Sequence, residues 1–478
     1  MKQTKIFSNF IWRFLERTGA QGITLIVSIV LARLLDPAVY GTIALVTVFT
    51  TIMQVFVDSG MGNALIQKKD ADDLDFSTVF YYNIVVCVLL YLVMFFAAPL
   101  ISWFYDSPEL TPIIRVLSIT LIVSGIKNVQ QAYVSKNMMF KRFFFSTIGG
   151  TIGAAVIGIA MAYMGYGVWA LVAQHLFNLI VGTVILWITV KWRPKWMFSW
   201  ERLKKLFSYG WKLLVSSLID TVYNDLRQLI IGKLYSSDDL AYYNRGKQFP
   251  NLIVTNINTS IDSVLLPTMS DAQDDSERVR SMTRRAIKTS TYIMAPLMLG
   301  LAALAETFVA LILTDKWLPC VPYMRIFCIT YMFYPIHTAN LNAIKAMGRS
   351  DLYLKLEVIK KTVGLIVLLS TMWFGVMAMA YSLLFTSVVS QIINSWPNRK
   401  LLNYTYLQQL RDIMPGILLA AFMAVCVWCV GLLGLNSLVT MLIQIVLGAA
   451  IYLAGSVLFK LESFRYLLSV FNRKIIKK

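Results

Sequence analysis

The chain has 478 residues, of which 58% are hydrophobic and only 14% charged, and its formal net charge is +19. This composition is too apolar for an ordinary soluble surface. Apolar runs of about 20 residues recur along the chain, each long enough to cross a hydrocarbon core of about 30 Å. A polytopic helical membrane protein is therefore predicted, because a barrel would instead show short alternating strands.

About fourteen membrane spans follow one another along the chain. Those of the first half are predicted at residues 12–35, 39–66, 78–104, 110–134, 144–165 and 168–190. Those of the second half are predicted at 209–234, 242–269, 287–313, 319–345, 353–374 and 377–398, and two more at 412–433 and 436–459. The first run lacks the small-residue cleavage signature of a signal peptide and is predicted to be retained.

The loops between the spans alternate in charge. The basic ones are the N-terminal segment, 135–143, 191–212, 271–288, 345–361, 399–411 and the tail from Lys460, with 67–76 as a mixed-charge member. The opposite loops are very short, and most of the 44 Lys and Arg residues lie on the basic side. The positive-inside rule therefore places both termini in the cytoplasm and explains the net charge without nucleic acid.

Two sequence matches divide the chain into related halves. Thr111–Thr120, T-P-I-I-R-V-L-S-I-T, matches Val321–Thr330, V-P-Y-M-R-I-F-C-I-T, with Pro, Arg, Ile and Thr in the same register. At nearly the same offset, residues 31–40 resemble residues 231–242. Each half has six spans, and repeats with an even number of spans share one orientation. The halves are therefore predicted to be related by an axis along the membrane normal.

The repeat predicts the order of domains. They are an N-terminal six-helix lobe at 1–190, a basic interfacial linker at 191–208, a second six-helix lobe at 209–400, two additional spans at 401–460 and a basic amphipathic cytoplasmic tail at 461–478. Trp192, Trp196 and Trp200 lie among basic residues, so the linker is predicted to be an interfacial helix or a strap along the inner surface.

The cysteines do not indicate a disulfide or metal site. Cys87, Cys320, Cys328, Cys426 and Cys429 lie in or at the ends of apolar runs, where no disulfide framework is implied. The Cys426-x-x-Cys429 spacing is accompanied by no other metal ligand, so we interpret the pair as small packing residues.

Polar residues inside the spans follow the helical period. They are Arg13, Arg17, Gln21, Thr24 and Ser28 in span 1; Thr47, Thr50, Gln54 and Asp58 in span 2; Ser217, Asp220, Asn224, Arg227 and Gln228 in span 7; and Asn244, Gln248, Asn251, Thr255 and Asp262 in span 8. In the aligned repeat, Lys127 of span 4 matches His337 of span 10. Because an ionisable group at the bilayer centre costs about 2.5–3.5 kcal/mol, these stripes are predicted to line a central cavity.

Each of these residues also has a structural interpretation. Ser, Thr, Asn and Gln hold membrane helices together without any transport role. Arg17 lies near the end of a span and is able to extend its charge to the head groups. His175 stands alone on an apolar helix and is interpreted as a packing residue.

The pattern favours a transporter over other membrane proteins. It contains no filter-like segment of a channel, no nucleotide-binding G-x-x-x-x-G-K-[ST] and no nucleophile–base pair. The outer loops are too short to hold the active site of a membrane glycosyltransferase or polymerase. Two lobes around a polar cleft fit a secondary transporter that alternates access by rocking.

Two pairs of segments resemble a known family. Leu31–Gly41, L-A-R-L-L-D-P-x-x-Y-G, and Val57–Gln67, V-D-S-G-M-G-N-A-L-I-Q, resemble the start of bacterial polysaccharide flippases of O-antigen, capsule, teichuronic and colanic type. Residues 230–234, I-I-G-K-L, and 241–245, A-Y-Y-N-R, resemble their second-half signature. The resemblance implies the multidrug/oligosaccharidyl-lipid/polysaccharide superfamily. It also implies an all-α fold with two six-helix lobes in a V and two extra C-terminal helices.

The substrate implied by this resemblance is an oligosaccharide on undecaprenyl diphosphate, moved across the bacterial cytoplasmic membrane. Cationic side chains are expected to bind its negatively charged diphosphate. Neutral hydrogen-bonding side chains are expected to bind its glycan. The predicted substrate-binding residues are Arg17, Gln21, Lys127, Asn224, Arg227, Arg245, Gln248, Asn251 and His337. The predicted ion-coupling residues are Asp58, Asp220, Asp225 and Asp262. H⁺, Na⁺ and the membrane potential stay open as driving forces, and no catalytic residue, metal or other cofactor is expected.

The expected partners are the lipid-linked oligosaccharide, membrane lipids and the glycan polymerase or glycosyltransferases, but not nucleic acid, and the chain is expected to be a monomer. Two alternatives stay open. One is a multidrug or organic-ion antiporter of the same fold, in which the four aspartates would bind the coupling ion. The other is a non-transporting scaffold that recruits glycan enzymes through its basic inner face.

Overall fold

The computed structural model describes residues 2–58 and 61–476, and all regular structure in these ranges is helical. The first helices are α1 (Lys2–Leu34), α2 (Pro37–Asp58), α3 (Met61–Gln67), α4 (Asp73–Phe104), α5 (Leu110–Leu117), α6 (Ile119–Lys136), α7 (Phe140–Tyr163), α8 (Val168–Thr189) and α9 (Trp200–Leu234). Ser59 and Gly60 of the Val57–Gln67 motif, the last two residues of the tail and the side chain of Arg13 lie outside the described part.

The remaining helices follow from Ser237 onward. They are α10 (Ser237–Ser270), α11 (Ser276–Ala303), α12 (Ala305–Ile312), a short 3₁₀ helix (Asp315–Cys320), α13 (Val321–Met332), α14 (Tyr334–Ala346), α15 (Ser350–Thr371), α16 (Val376–Leu401), α17 (Tyr406–Gly431), α18 (Ser437–Leu458) and α19 (Glu462–Ile476).

The protein is an all-α, multi-pass membrane protein. Ten helical segments of the described chain are long and apolar enough to cross a membrane, and they coincide with predicted spans 1–6, 9 and 12–14. The other four predicted spans are also helical, in α9, α10, α13–α14 and α15, but carry more polar residues. The count of fourteen therefore stays a prediction.

Several predicted spans are interrupted helices. The span predicted at 319–345 breaks at Phe333, between α13 and α14. The span predicted at 110–134 breaks at Ser118, between α5 and α6. The breaks leave the apolar pattern of a span intact, which is why hydropathy does not reveal them.

The chain forms two compact units, the first ending at Ala241 and the second beginning at Tyr242. The repeat assigns α9 to the second half, but in the structure α9 packs within the first unit against α2, α3 and α4. Each unit has its own buried apolar cluster at the predicted inner ends of its helices, around Phe76 and Val129 in the first and around Ile336 and Ile413 in the second.

Local geometry at both matched segments follows the repeat. In the first pair, α1 ends at Leu34 and α9 ends at Leu234, which is the offset of the sequence match. In the second pair, the Arg115 guanidinium donates from Nε to the Phe95 carbonyl at 3.2 Å. Its counterpart Arg325 donates from Nε to the Ala302 carbonyl at 3.3 Å. Both arginines thus tie their helix to the preceding long helix.

The linker begins as an extended strap. Residues 190–199 have no helical structure, and α9 begins at Trp200 with Ser199 as its N-cap. Trp192 Nε1 donates to Asp73 Oδ1 at 3.1 Å, the Lys195 ammonium pairs with Asp73 at 2.6 Å, and Ser199 N donates to Thr78 Oγ1 at 3.1 Å. These bonds hold the strap across the start of α4.

Candidate functional site

A polar cavity of ≈ 340 Å³ lies inside the first unit. Its walls come from α2, α5, α6 and α8. The residues that line it are Thr47, Thr50, Thr51, Gln54, Leu117, Thr120, Ser124, Lys127, His175, Asn178 and Leu179. Hydroxyl, amide and imidazole groups therefore share the cavity wall with one ammonium group, in helices whose other faces are apolar.

The carboxylate of Asp58 closes the end of α2 beside this cavity. Gln54 Nε2 and Asn128 Nδ2 donate to Asp58 Oδ1 at 3.0 and 3.1 Å. Asn128 Nδ2 also lies 3.3 Å from the Val57 carbonyl. Gly62 permits this approach, because a Cβ there would lie 2.7 Å from Asn128 Oδ1. Two neutral amides thus hold the carboxylate in place.

Lys127 places its ammonium in the cavity without a direct partner. Within the part of the chain that the structure describes, no hydrogen bond or ion pair to the Lys127 ammonium is found. The charges of Asp58 and Glu16 act on it from a greater distance. Glu16 is buried and accepts a hydrogen bond from Thr147 Oγ1 at 3.1 Å. The N–H groups of the ammonium are therefore able to donate to a ligand, while the two carboxylates offset its positive charge.

His175 and Asn178 of α8 also face the cavity. The sequence analysis interpreted His175 as a packing residue and did not single out Asn178. The structure places both in the same wall as Lys127, and His175 is exposed there. The signal that points to them is their spacing of three residues on a mostly apolar helix, which puts both side chains on one face.

The predicted binding residues of α1 and α9 do not line this cavity. Arg17 and Gln21 are exposed on α1, and Asn224 is exposed on α9. Arg227 is buried. The structure therefore keeps these groups in the first unit but away from Lys127.

The two predicted coupling aspartates of α9 also lie outside the cavity wall. Asp220 is exposed. Asp225 accepts a hydrogen bond from Gln228 Nε2 at 3.0 Å. Of the four predicted aspartates, Asp58 is the one beside the cavity that holds Lys127.

Three predicted residues on α10 have different surroundings. Arg245 is buried, donates from Nη1 to Gln248 Oε1 at 2.6 Å and stacks over the Trp317 ring at 4.7 Å. Asn251, one turn beyond Gln248, is exposed. The Arg245 guanidinium is thus directed into the packing of the second unit.

The last two predicted residues pair with amides of neighbouring helices. His337 Nδ1 lies 2.9 Å from Asn394 Nδ2. Asp262 Oδ1 accepts from Asn342 Nδ2 at 2.7 Å. The predicted set is therefore distributed over both units, with Lys127 in the wall of the polar cavity and Asp58 beside it.

Comparison with known proteins relates this chain to polysaccharide biosynthesis. The family model described as "Polysaccharide biosynthesis protein" matches residues 30–322. The chain is 24% identical over 412 residues to "Teichuronic acid biosynthesis protein TuaB" of Bacillus subtilis (strain 168), covering 84% of this chain and 85% of that protein. It is 23% identical over 307 residues to "Succinoglycan biosynthesis transport protein ExoT" of Rhizobium meliloti (strain 1021), covering 64% and 62%.

The fold is shared with a solved transporter. The structure described as "Lipid II flippase MurJ, inward closed conformation" superposes with a TM-score of 0.77 and 14% sequence identity, covering 96% of this chain and all of that one. This likeness establishes the all-α multi-pass fold, and it extends over both units.

Proposed function

Because the chain belongs to the polysaccharide biosynthesis protein family, we propose that it is a secondary transporter for an undecaprenyl-diphosphate-linked oligosaccharide. It moves this lipid across the cytoplasmic membrane by alternating access, for export of a surface polysaccharide. The relatives' names support the proposal, since one is a teichuronic acid biosynthesis protein and another a succinoglycan transport protein. The shared fold with a lipid II flippase agrees with it.

The observation that carries the proposal is the Lys127 ammonium in a polar cavity within the membrane. A lipid diphosphate loses its hydration when it enters the bilayer, and a cation in a cavity compensates that loss. The threonine hydroxyls and the amides of Gln54 and Asn178 offer neutral hydrogen bonds of the kind that sugar hydroxyls accept and donate. The cavity thus combines the two chemistries that the substrate requires.

Asp58 is the candidate for ion coupling. It lies beside the cavity, its charge acts on Lys127, and two amides hold its carboxylate. A proton or Na⁺ on this carboxylate would raise the positive potential at Lys127 and strengthen its attraction for a diphosphate. H⁺ and Na⁺ therefore stay alternatives at this position, with the membrane potential as a third driving force.

The transporter acts in the bacterial inner membrane with both termini in the cytoplasm, as the basic loops indicate. It works as a monomer, makes and breaks no covalent bond, receives its lipid from glycosyltransferases and delivers it to a glycan polymerase. The support for this placement is the chemistry of the substrate, which is assembled on one side of the membrane and used on the other.

Charge reversal at Lys127 tests the proposal. In a strain that lacks the gene, Lys127→Glu is expected to abolish surface polysaccharide at a normal protein level, because a carboxylate repels the diphosphate. Lys127→Arg is expected to retain most activity. The control is Lys69→Glu, at an exposed position in an inner loop, which is expected to behave like the unaltered protein. Full polysaccharide production by Lys127→Glu would contradict the assignment.

A further inference from the structure

The helices α6 and α8 build two different surfaces. Residues on one side of this pair line the polar cavity with Lys127. On the other side, Val123 and Ile126 of α6 and Val184 and Ile188 of α8 line an apolar groove of ≈ 380 Å³. This volume lies within the range of about 300–1,000 Å³ typical of small-molecule sites.

Most of the groove surface is hydrocarbon. Ile188 is 74% exposed and Val184 50% exposed, as expected of side chains that face acyl chains in a membrane. The hydroxyl of Thr183, which also lines the groove, donates to the Leu179 carbonyl at 2.7 Å. Its polar atom is thereby satisfied within α8, so the groove suits an apolar chain.

One end of the groove carries a positive charge. Trp187 donates from Nε1 to the Ile126 carbonyl at 3.3 Å, which fixes the indole between α6 and α8. The Arg193 guanidinium lies over this indole at 5.2 Å and lines the groove. It also donates to the Trp192 carbonyl at 2.8 Å. Arg193 follows the end of α8 and therefore lies near the predicted inner surface, where an anionic head group enters.

Gly182 of α8 lies beside Lys127 of the cavity and next to Thr183 of the groove. A Cβ built on Gly182 would lie 3.4 Å from the Lys127 ammonium. Lys127 follows Ile126 of the groove directly in sequence, and Gly182 precedes Thr183 of the groove. The absence of a side chain at Gly182 thus brings the ammonium to the crossing of α6 and α8, between the two surfaces.

We propose that this groove binds the isoprenoid chain of the lipid-linked substrate, next to the diphosphate that Lys127 binds. The inference rests on the proposed function and adds the route of the lipid tail. A phospholipid keeps its phosphate at the membrane surface, near Arg193. The transported lipid is different, because its diphosphate moves along α6 to Lys127 while its chain stays in the adjoining groove.

Photo-crosslinking tests the groove. A benzoylphenylalanine residue is placed at Val184 and, as a matched control, at Val156 of α7, which is 64% exposed and lies outside the groove. The probe is radiolabelled undecaprenyl diphosphate in vesicles of phosphatidylethanolamine and phosphatidylglycerol. Labelling at Val184 is expected to exceed that at Val156 several-fold and to fall with excess unlabelled undecaprenyl diphosphate. Equal labelling at both positions, or equal competition by added phosphatidylglycerol, would overturn the proposal.

Groove filling separates this inference from the proposed function. Val184→Trp is expected to reduce surface polysaccharide several-fold, whereas Val156→Trp is expected to leave it unchanged. If Lys127→Glu abolishes polysaccharide but Val184→Trp has no effect, the groove assignment is wrong and the transport function stands. If labelling at Val184 is specific but Lys127→Glu retains full polysaccharide, the groove stands as an isoprenoid site and the headgroup assignment at Lys127 is wrong.

Discussion

Asn128 of α6 binds the end of α2 beside the cavity. The amide nitrogen of Asn128 lies 3.1 Å from Asp58 Oδ1 and 3.3 Å from the Val57 carbonyl oxygen, and Asn128 is buried. Asn128 therefore holds the last turn of α2 in place. A buried group that loses its hydrogen-bond partner costs about 1–3 kcal/mol.

Asn128→Ala is accordingly expected to lower the free energy of unfolding by about 1–3 kcal/mol, because it leaves the Val57 carbonyl without this donor. The midpoint of thermal unfolding of the purified protein in detergent measures the change. The control is Asn137→Ala, whose amide donates to the Tyr133 carbonyl in an exposed position and is expected to change the midpoint little. Equal effects of the two substitutions would contradict the role given to Asn128.

The sequence identifies some cavity residues but not others. Lys127 and Asp58 are predicted because an ionisable group within an apolar run requires a polar environment. His175 and Asn178 are missed because a lone polar residue on an apolar helix is compatible with packing as well. The faces that line the cavity depend on how α2, α6 and α8 cross. The polar period of a single helix does not predict this crossing, because it arises from the packing of side chains between helices.

At the scale of elements, the outer end of α9 is closely packed against α2 and α4. The Lys233 ammonium pairs with Asp106 at 2.9 Å, and Tyr105 donates its hydroxyl proton to the Leu229 carbonyl at 3.3 Å. The start of α10, directly after α9, lies closer still, since a Cβ on Gly41 of α2 would lie 1.8 Å from the Ser237 carbonyl oxygen. Such a contact requires the backbone to move.

Gly41→Ala is therefore expected to destabilise the first unit strongly, with a loss of folded protein in the membrane, because overpacking typically costs about 1–3 kcal/mol or more. Gly22→Ala is the matched control, since a Cβ at Gly22 meets no atom within 4 Å and alanine favours a helix by about 1 kcal/mol over glycine. The yield of monodisperse protein after detergent extraction measures both. A normal yield of Gly41→Ala would show that the contact is not required.

The start of α4 depends on a capping carboxylate that also holds α9. Asp72 is the N-cap of α4, where it accepts from the Asp75 amide at 3.0 Å, and it pairs with Arg202 of α9 at 2.8 Å. The Asp75 amide and, next, the Arg202 guanidinium hold the pKa of Asp72 below its usual value. Because this pKa is lowered in the folded state, the stabilisation is present above about pH 4 and is lost as the pH falls below it.

Asp72→Asn and Asp72→Ala separate these two roles. Asparagine keeps the cap, so Asp72→Asn loses only the ion pair, which contributes little at this exposed site because water screens it. Asp72→Ala loses the cap as well, at a further cost of about 1 kcal/mol. Limited proteolysis of the strap by trypsin is expected to be faster in Asp72→Ala than in Asp72→Asn, and independent of pH between about 6 and 8. Asp70→Ala, at an exposed neighbouring position, is the control.

The sequence predicts well which residues form the helices, but it does not predict the contacts that hold the linker against them. Apolar length fixes where α4, α7 and α8 run, since each must cross the same hydrocarbon thickness. The linker is predicted as either a helix or a strap because tryptophan and lysine suit both at a membrane surface. Its extended form between residues 190 and 199 depends on hydrogen bonds to Ser77 and Thr78 of α4, which no local pattern encodes.

At the scale of the whole molecule, the repeat can be recognised in the sequence because the same local hydrogen bond occurs in both halves. Arg115 and Arg325 each bind a carbonyl of the preceding long helix, so both halves retain proline, arginine and threonine in one register. The position of α9 is different. Its sequence matches α1, yet it packs within the first unit. The side chains on the helix surface determine where a helix packs, and the sequence repeat does not.

The kind of cargo is a property of the whole molecule, and it distinguishes a polysaccharide transporter from a multidrug antiporter of related fold. A cavity that holds the Lys127 ammonium attracts an anionic head group and repels the lipophilic cations that efflux pumps commonly carry. Deletion of the gene is therefore expected to abolish surface polysaccharide and to cause lipid-linked oligosaccharide to accumulate, with no change in ethidium sensitivity. Staining of the surface glycan, extraction of the lipid fraction and ethidium accumulation in the same cells measure the three quantities. Increased ethidium accumulation with unchanged glycan would contradict the anionic cargo, because a cavity built around an ammonium group has no physical reason to select a cation.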